Sequence, residues 1–342
     1  MVLLIAGMAI CVSSLGQPNV DDADALAEEV ASKGWIVYSA RAGNGTWDLF
    51  LARPDGSAAR NITNTADHEE AAPRFAPNGT RILYRRLAKG TEINHDLWGF
   101  QGELIISKPD GTSAMVYGED GEYPWACWSG DGKQIVCLER KGIKVVNLGT
   151  REVVQELPRN GVYQQLFASA NGKWFCGTGN IQNASWNVVR MNAEDGAVNA
   201  VHIFQSCTPD WFPDSERIIF SSRPTQKSND GYGWTQLWMA NADGSNAKLI
   251  YGEEGAHIYG GQVSPDGQYV LFTKTLADGG GAEESGGPMF LMRLSDAPTI
   301  GGESPELRSL HVNTKDGPVL EIGTGWEPHW TYADIGVKEW QE

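Results

Sequence analysis

From residue 34 onward, apolar and polar positions alternate in short runs, each bounded by a cluster of turn-forming residues. Trp35 to Ser39 and Trp47 to Ala52 are the first two runs, and Pro54-Asp55-Gly56 follows them. Alternation of this kind over so few residues predicts half-buried β-strands. The clearest instance is Gly260 to Thr273, which leads through Val263 into Ser264-Pro265-Asp266-Gly267 and out along Tyr269-Val270-Leu271-Phe272. It reads as a hairpin: an extended run, a tight turn whose glycine accepts positive φ, then a second strand. Ahead of the strands, Asp21 to Lys33 is acidic and alanine-rich, with Ala25, Leu26 and Val30 at helical spacing. That pattern predicts a short helix ending at Gly34.

The hairpin recurs, and a recurring hairpin has to be recognised before any other reading is attempted. Variants occur at Pro73 to Gly79, Ala126 to Gly132, Leu166 to Gly172 and Pro209 to Asp214, each followed by a β-rich run. The anchor residues Phe75, Trp128, Phe167, Trp211 and Val263 lie roughly 40 to 55 residues apart, the length of a four-stranded propeller blade. Trp326 to Tyr332 matches only the first strand of a repeat, and the opening Trp35 segment matches a repeat lacking that strand. Together they make one blade. The expected fold is all-β: a six-bladed β-propeller closed by pairing of the C-terminal strand with the N-terminal strands, plus a short N-terminal helix. Closure of this kind removes the sheet edges that a linear array would leave open. Three connections exceed what hairpins need: Lys89 to Gln101 with His95, Trp98 and Phe100, the Gly-rich Leu276 to Pro288, and Ala297 to Gly317.

Composition narrows function mainly by exclusion. The chain has 342 residues, 41 Gly, 16 Pro and 13 Trp, and a formal net charge of −16. A field of that sign repels phosphate backbones, so nucleic acid is excluded as a partner, while protein and glycan partners stay open. Residues 1–16 are apolar and end in small residues, the pattern of a secretory signal peptide cleaved before Gln17, although no Lys or Arg precedes the apolar run. About 16 apolar residues are marginal for crossing a bilayer, and no other stretch is long enough after the signal is removed. The expected divisions are a signal peptide over 1–16, a helical segment over 17–33, the propeller over 34–334 and a tail over 335–342. The expected location is periplasmic or secreted. Cys127, Cys137, Cys176 and Cys207 form no Cys-x-x-Cys pair and sit in apolar strand segments, so buried thiols are expected there, with disulfides left open.

Ser264 to Phe272 and Leu237-Trp238-Met239-Ala240-Asn241-Ala242-Asp243-Gly244-Ser245 resemble the repeat of TolB-type β-propellers, over about residues 34 to 334. The repeat is specific for architecture and says little about function, because chemistry on a propeller sits on residues that vary between blades. Nothing in the sequence matches the α/β domain that precedes the propeller in TolB. The chain is also similar in repeat type to oligogalacturonate lyase, whose propeller holds a metal through His and Gln. That resemblance implies Gln262 as a candidate metal ligand, with Gly260 where a His is expected.

Counting six residues back from each anchor gives Glu69, Glu122, Gly161, Gln205, His257 and Thr324, a set expected to ring one mouth of the central channel. Either this rim is merely solvated, or it holds a cation, a metal or a sugar. The adjacent Asp67, His68 and Glu70 suit a divalent metal or acid–base work, and no cofactor beyond a possible divalent metal, with His257 and Gln262 as its candidate ligands, is implied. Trp125, Trp326, Trp98 and Tyr259 would stack on sugar rings if exposed, or pack between blades if not. Glu327 and His329 lie on the closing strand, His329 expected between blades. No nucleophile elbow, phosphate loop or calcium loop is present. The leading reading is a binding or scaffold module for a protein or glycan partner, without its own catalysis. The alternative is a carbohydrate-active enzyme, lyase-like, working at the channel mouth through His257 and the carboxylates.

Overall fold

The computed structural model describes residues 20–93, 99, 101–182, 186–202, 205–223, 235–253, 255–276, 287–298 and 319–336. The expected signal peptide over 1–16, His95, Trp98, Phe100 and nearly all of the two later long connections lie outside the described residues.

Helix α1 (Val20–Val30) precedes β1 (Trp35–Arg41), β2 (Trp47–Ala52) and the short β3 (Arg60–Asn61). Four four-stranded antiparallel sheets follow in chain order. Sheet B holds β4 (His68–Phe75), β5 (Ile82–Ala88), β6 (Glu103–Ser107) and β7 (Met115–Gly118). Sheet C holds β8 (Cys127–Trp128), β9 (Gln134–Leu138), β10 (Ile143–Asn147) and β11 (Val153–Leu157). Sheet D holds β12 (Val162–Ala168), β13 (Trp174–Gly179), β14 (Asn187–Asn192) and β15 (Val198–Ala200). Sheet E holds β16 (Ser206–Trp211), β17 (Arg217–Ser222), β18 (Gln236–Asn241) and β19 (Lys248–Tyr251). The rest form one seven-stranded sheet: β20 (Ala256–Val263), β21 (Tyr269–Leu276), β22 (Gly287–Arg293), β23 (Leu320–Thr331), then β1, β2 and β3. The architecture is an all-β propeller with one helix near its N-terminus.

The turn chemistry read from the sequence is what joins the first two strands of a sheet. In Ser264 to Gly267, the Asp266 carboxylate accepts the Ser264 hydroxyl at 2.6 Å and the Gln268 N–H at 3.0 Å. Gly267 then takes φ +72°, a conformation that costs glycine little. Ser129 and Ser169 occupy the same place as Ser264, each accepting the N–H five residues on.

Strand β23 is split in use. Residues 320–325 pair with β22, and residues 326–331 pair with β1, Trp35 facing Thr331 and Ile36 facing Trp330. The two arms of the seven-stranded sheet also pack on each other, Ile36 and Tyr38 sharing a core with Leu271 and Met289. Five further buried clusters lie at the remaining boundaries: β1–β2 against sheet B, B against C, C against D, D against E, and E against β20–β21. Apolar side chains on both faces of each sheet thus reach a neighbour, which is where the hydrophobic stabilisation resides. Ile335, just past the expected propeller boundary, is buried at the boundary with sheet B.

Helix α1 clamps the joint between the two arms. Leu26 and Val30 are fully buried there. Glu29 accepts hydrogen bonds from Arg293 at 2.5 Å and from the Tyr269 hydroxyl, and the Lys33 carbonyl accepts from Trp330 Nε1 at 2.7 Å. Gly34, which leads from the turn after the helix into β1, takes φ +80°, and a Cβ there would stand 1.9 Å from the Thr331 carbonyl oxygen. No side chain fits at that point.

Candidate functional site

The innermost strand of every sheet carries the same distortion. Ala72, Trp125, Gln165, Thr208, Gly260 and Glu327 take φ between +47° and +63°. The pairing register slips at this point in β4, β12, β16, β20 and β23. These are β-bulges, which re-aim the residues after them. Each lies three residues before an anchor position, Phe75, Trp128, Ala168, Trp211, Val263 or Trp330, and in sheet C it stands just ahead of β8. The equivalent of Trp128 in sheet D is therefore Ala168, and the anchor expected at Phe167 is corrected by one residue. Six residues back then falls on Val162 in place of Gly161.

Past the bulge, the residue before each anchor turns to the centre. Arg74, Cys127, Phe167, Asp210, Gln262 and His329 all line one cavity of about 220 Å³. Arg74 Nη1 meets Asp210 Oδ2 at 2.6 Å, an ion pair that joins sheets B and E across the centre. Gln262 Nε2 donates to the same carboxylate oxygen, the Trp211 N–H donates to the other at 2.7 Å, and the Arg74 guanidinium lies 4.2 Å above the Phe167 ring. Burial pushes the Asp210 carboxyl above the usual carboxylate range, although Arg74 and the hydrogen bonds pull the other way. His329 Nδ1 accepts the Phe75 N–H at 3.3 Å. Burial, helped by Arg74, holds His329 well below the ordinary imidazole range, so the ring is neutral and its proton sits on Nε2. Burial pushes the Cys127 thiol up to about 12, which leaves it an unreactive thiol. Trp128, Trp211 and Trp330 wall the cavity, with Pro77, Pro213 and Pro265 in the turns beside it.

The residues singled out from the sequence are not gathered in this way. Glu69 is buried, and its carboxylate accepts the N–H of Trp47 at 2.6 Å and of Gly90 at 2.9 Å. Glu122 is exposed and accepts the Glu119 N–H at 2.9 Å. No hydrogen bond or ion pair joins Glu69 to Glu122. Gln205 accepts the Arg223 N–H at its carbonyl, and His257 Nδ1 accepts the Thr235 N–H at 3.0 Å. His68 pairs at 2.8 Å with exposed Asp67. Trp125 and Trp326 share a buried cluster and are 3% and 1% exposed, so they are core packing and not stacking platforms. Glu327 is one of the bulge residues. Of the metal candidates, Gln262 is engaged with Asp210 and His257 with Thr235. Among the described residues no three His, Cys, Asp or Glu converge as a metal ion needs. All four described cysteines are free and buried, as expected.

Glu70, set with Asp67 and His68 in the sequence, instead pairs with Asp48, which no sequence signal picks out. Asp48 and Glu70 are fully buried, held by Thr65, Thr63 and Asn61. Burial, together with a hydrogen bond to Asp48, pushes Glu70 up to about 8.

No family model matches the chain, and its sequence matches no curated protein. Solved structures do resemble it. TolB from Acinetobacter baumannii superposes with a TM-score of 0.62 at 16% identity, over 88% of this chain and 67% of that one. A TolB-designated protein from Agrobacterium tumefaciens gives 0.52 at 18% identity, over 79% and 87%. An oligogalacturonate lyase in complex with manganese gives 0.44 at 14% identity, over 78% and 85%. The chain has the TolB-type propeller fold. At these identities the likeness is one of fold and not of function.

Proposed function

We propose that this chain is an exported, six-bladed TolB-like propeller that acts as a binding or scaffold module for a protein partner, engaged at the central cavity. In this reading the seven-stranded sheet is two blades, β23 completing one with residues 320–325 and opening the other with residues 326–331. Three observations support the count: the divided pairing of β23, six buried boundary clusters, and six equivalent bulges. Residues 1–16 are the cleaved signal, 17–33 the helical clamp, 34–334 the ring and 335–342 the tail, and the mature protein works in the periplasm or outside the cell.

The observation that carries the binding reading is the set of six side chains at the cavity. They occupy one repeat position yet differ in every blade: a cation, an anion, an amide, an imidazole, a thiol and a phenyl ring. Function on a shared fold lives in the particular residues of a site, and binding sites combine an apolar wall with a few placed polar groups. A protein partner fits the mixture of aromatic wall and few polar groups, the composition of an interface core. A photoreactive residue placed at Pro213, beside the cavity, tests this in extracts of the native envelope. One partner band is expected from Pro213 and none from Asp195 in a peripheral turn. Equal labelling from both positions, or from neither, contradicts the reading.

A further inference from the structure

One junction between sheets is unlike the others. At each boundary the anchor of the later sheet packs back on the sheet before it. Phe75, Trp128, Trp211, Val263 and Trp330 do this at five boundaries. Between sheets C and D the residue is Ala168. A second position is also small there, as it is at the D–E junction, where Ala242 donates its N–H to the Glu216 carbonyl. Leu148 and Ala193 are equivalent, each donating its N–H at 3.0 Å to the carbonyl of the lysine after the hairpin glycine, Lys133 or Lys173. Leu148 packs into the B–C junction, and Ala193 stands at the C–D junction.

Large residues replaced by small ones leave space unless the surroundings collapse. Here they do not. The cleft between B and C measures about 420 Å³, with Trp128 and Leu148 in its wall. The cleft between C and D measures about 710 Å³, with Ala168 and Ala193 in the same places. Its lining includes buried Val136, Val145 and Phe175. Gln134 also lines it, and its side-chain amide has no hydrogen-bond partner among the described residues. Ser129, Gly130, Ala168 and Ala170 line both this cleft and the central cavity, so the two adjoin. Gln155 of β11, the edge strand of sheet C, lines the cleft as well. A track thus runs from beside the centre, between two sheets, to the edge strand β11.

Resting on the reading that a protein partner binds at the centre, we infer that the partner lays an extended segment along this track and seats an aromatic side chain in the gap at Ala168. The repeat itself identifies the occupant. At four of the five other junctions the same place is filled by this chain's own aromatic ring, Phe75, Trp128, Trp211 or Trp330. An aromatic ring brings a large buried area at little conformational cost, which is why such residues anchor interfaces. The partner segment is uncharged or basic, because the chain carries a net charge of −16.

Titration of the purified protein with N-acetyl-L-tryptophanamide, followed by ligand-observed NMR, tests the gap without needing the partner. Saturable binding is expected. Ala168→Trp, which installs the residue of the preceding junction, should weaken it by roughly tenfold or more. Ala193→Leu closes the same gap with a different side chain and guards against a variant that fails to fold. Absence of saturable binding to the parent overturns the inference, as does unchanged binding in both folded variants. If both variants raise the melting temperature and the parent binds no probe, the cleft is a packing gap only. Photolabelling from Pro213 does not depend on this gap, so failure here and failure of the central-site reading remain distinguishable.

Discussion

The ion pair across the centre gives a prediction whose size follows from its surroundings. Arg74 and Asp210 are 16% and 14% exposed and meet at 2.6 Å. Asp210→Ala leaves the guanidinium over Phe167 without its carboxylate. Stranding one buried charge in this way costs about 3 to 5 kcal/mol. For a chain of this size that lowers the melting temperature by roughly 4 to 7 °C. Arg74→Met is milder, because Asp210 keeps its bonds from Gln262 and the Trp211 N–H and, already shifted upward, can take a proton. Its cost is about 1 to 3 kcal/mol. The sign with pH is fixed. A carboxyl whose folded pKa is raised contributes stability that is complete below its unfolded pKa and is lost as pH rises through the folded one. Arg74→Met should therefore be less stable relative to the parent at pH 8 than at pH 5. The double change Arg74→Met with Asp210→Leu removes both charges together and should fall within about 2 kcal/mol of the parent. Urea unfolding of the parent, Arg74→Met, Asp210→Leu and the double variant, read as a double-mutant cycle, measures the coupling directly. An Asp210→Ala protein that unfolds with the parent's midpoint would refute the claim that this pair is desolvated and joined.

Three further outcomes are expected. Glu70, raised to about 8 by burial and its bond to Asp48, contributes stability that is complete below the unfolded pKa and is lost as pH rises toward 8. Glu70→Gln should flatten the pH dependence of the urea midpoint between pH 5 and 9 and stabilise the protein at the alkaline end, and parallel curves would contradict this. Glu69→Gln should lose about 1 to 3 kcal/mol by weakening its bonds to the Trp47 and Gly90 N–H groups, while exposed Glu122→Gln should change stability little, and equal effects in thermal melts would show the two residues to be alike after all. Mass spectrometry of the mature protein should find an N-terminus at or near Gln17, and retention of Met1 would overturn the export proposal.

Architecture was legible because it rests on local chemistry that repeats. Ser264 to Gly267 and its relatives set the turns, and alternation set the strands. Trp326 to Tyr332 was recognised as a lone first strand, and residues 326–331 do pair with β1. The structure does not gather the residues that the count of six selects, for one physical reason. Every innermost strand bulges three residues before its anchor, and a bulge reverses which face later residues occupy. Counting six residues back crosses the bulge and arrives at Glu69, which serves the Trp47 and Gly90 N–H groups. Counting one back does not cross it and arrives at Arg74, Asp210, Gln262 and His329. Nothing in the sequence marks the bulge, since only one of its six residues, Gly260, is a glycine. The anchor at Phe167 was mistaken because an aromatic ring stood beside the true position, Ala168. The alignment of Ser129, Ser169 and Ser264 was the signal that could have corrected it. The contact between Arg74 and Asp210, 136 residues apart, is a property of the assembled sheets and not of any local run.

The proposed ring closure underlies the binding proposal, and amide hydrogen exchange reads it most directly. A chain ending at Gly325 retains the half of β23 that pairs with β22 and lacks the half that pairs with β1. Peptides covering Trp35 to Arg41 should lose protection in that protein, while those covering Gly287 to Arg293 keep it. Equal protection of Trp35 to Arg41 in the full and shortened chains would contradict closure of the propeller by its C-terminal strand.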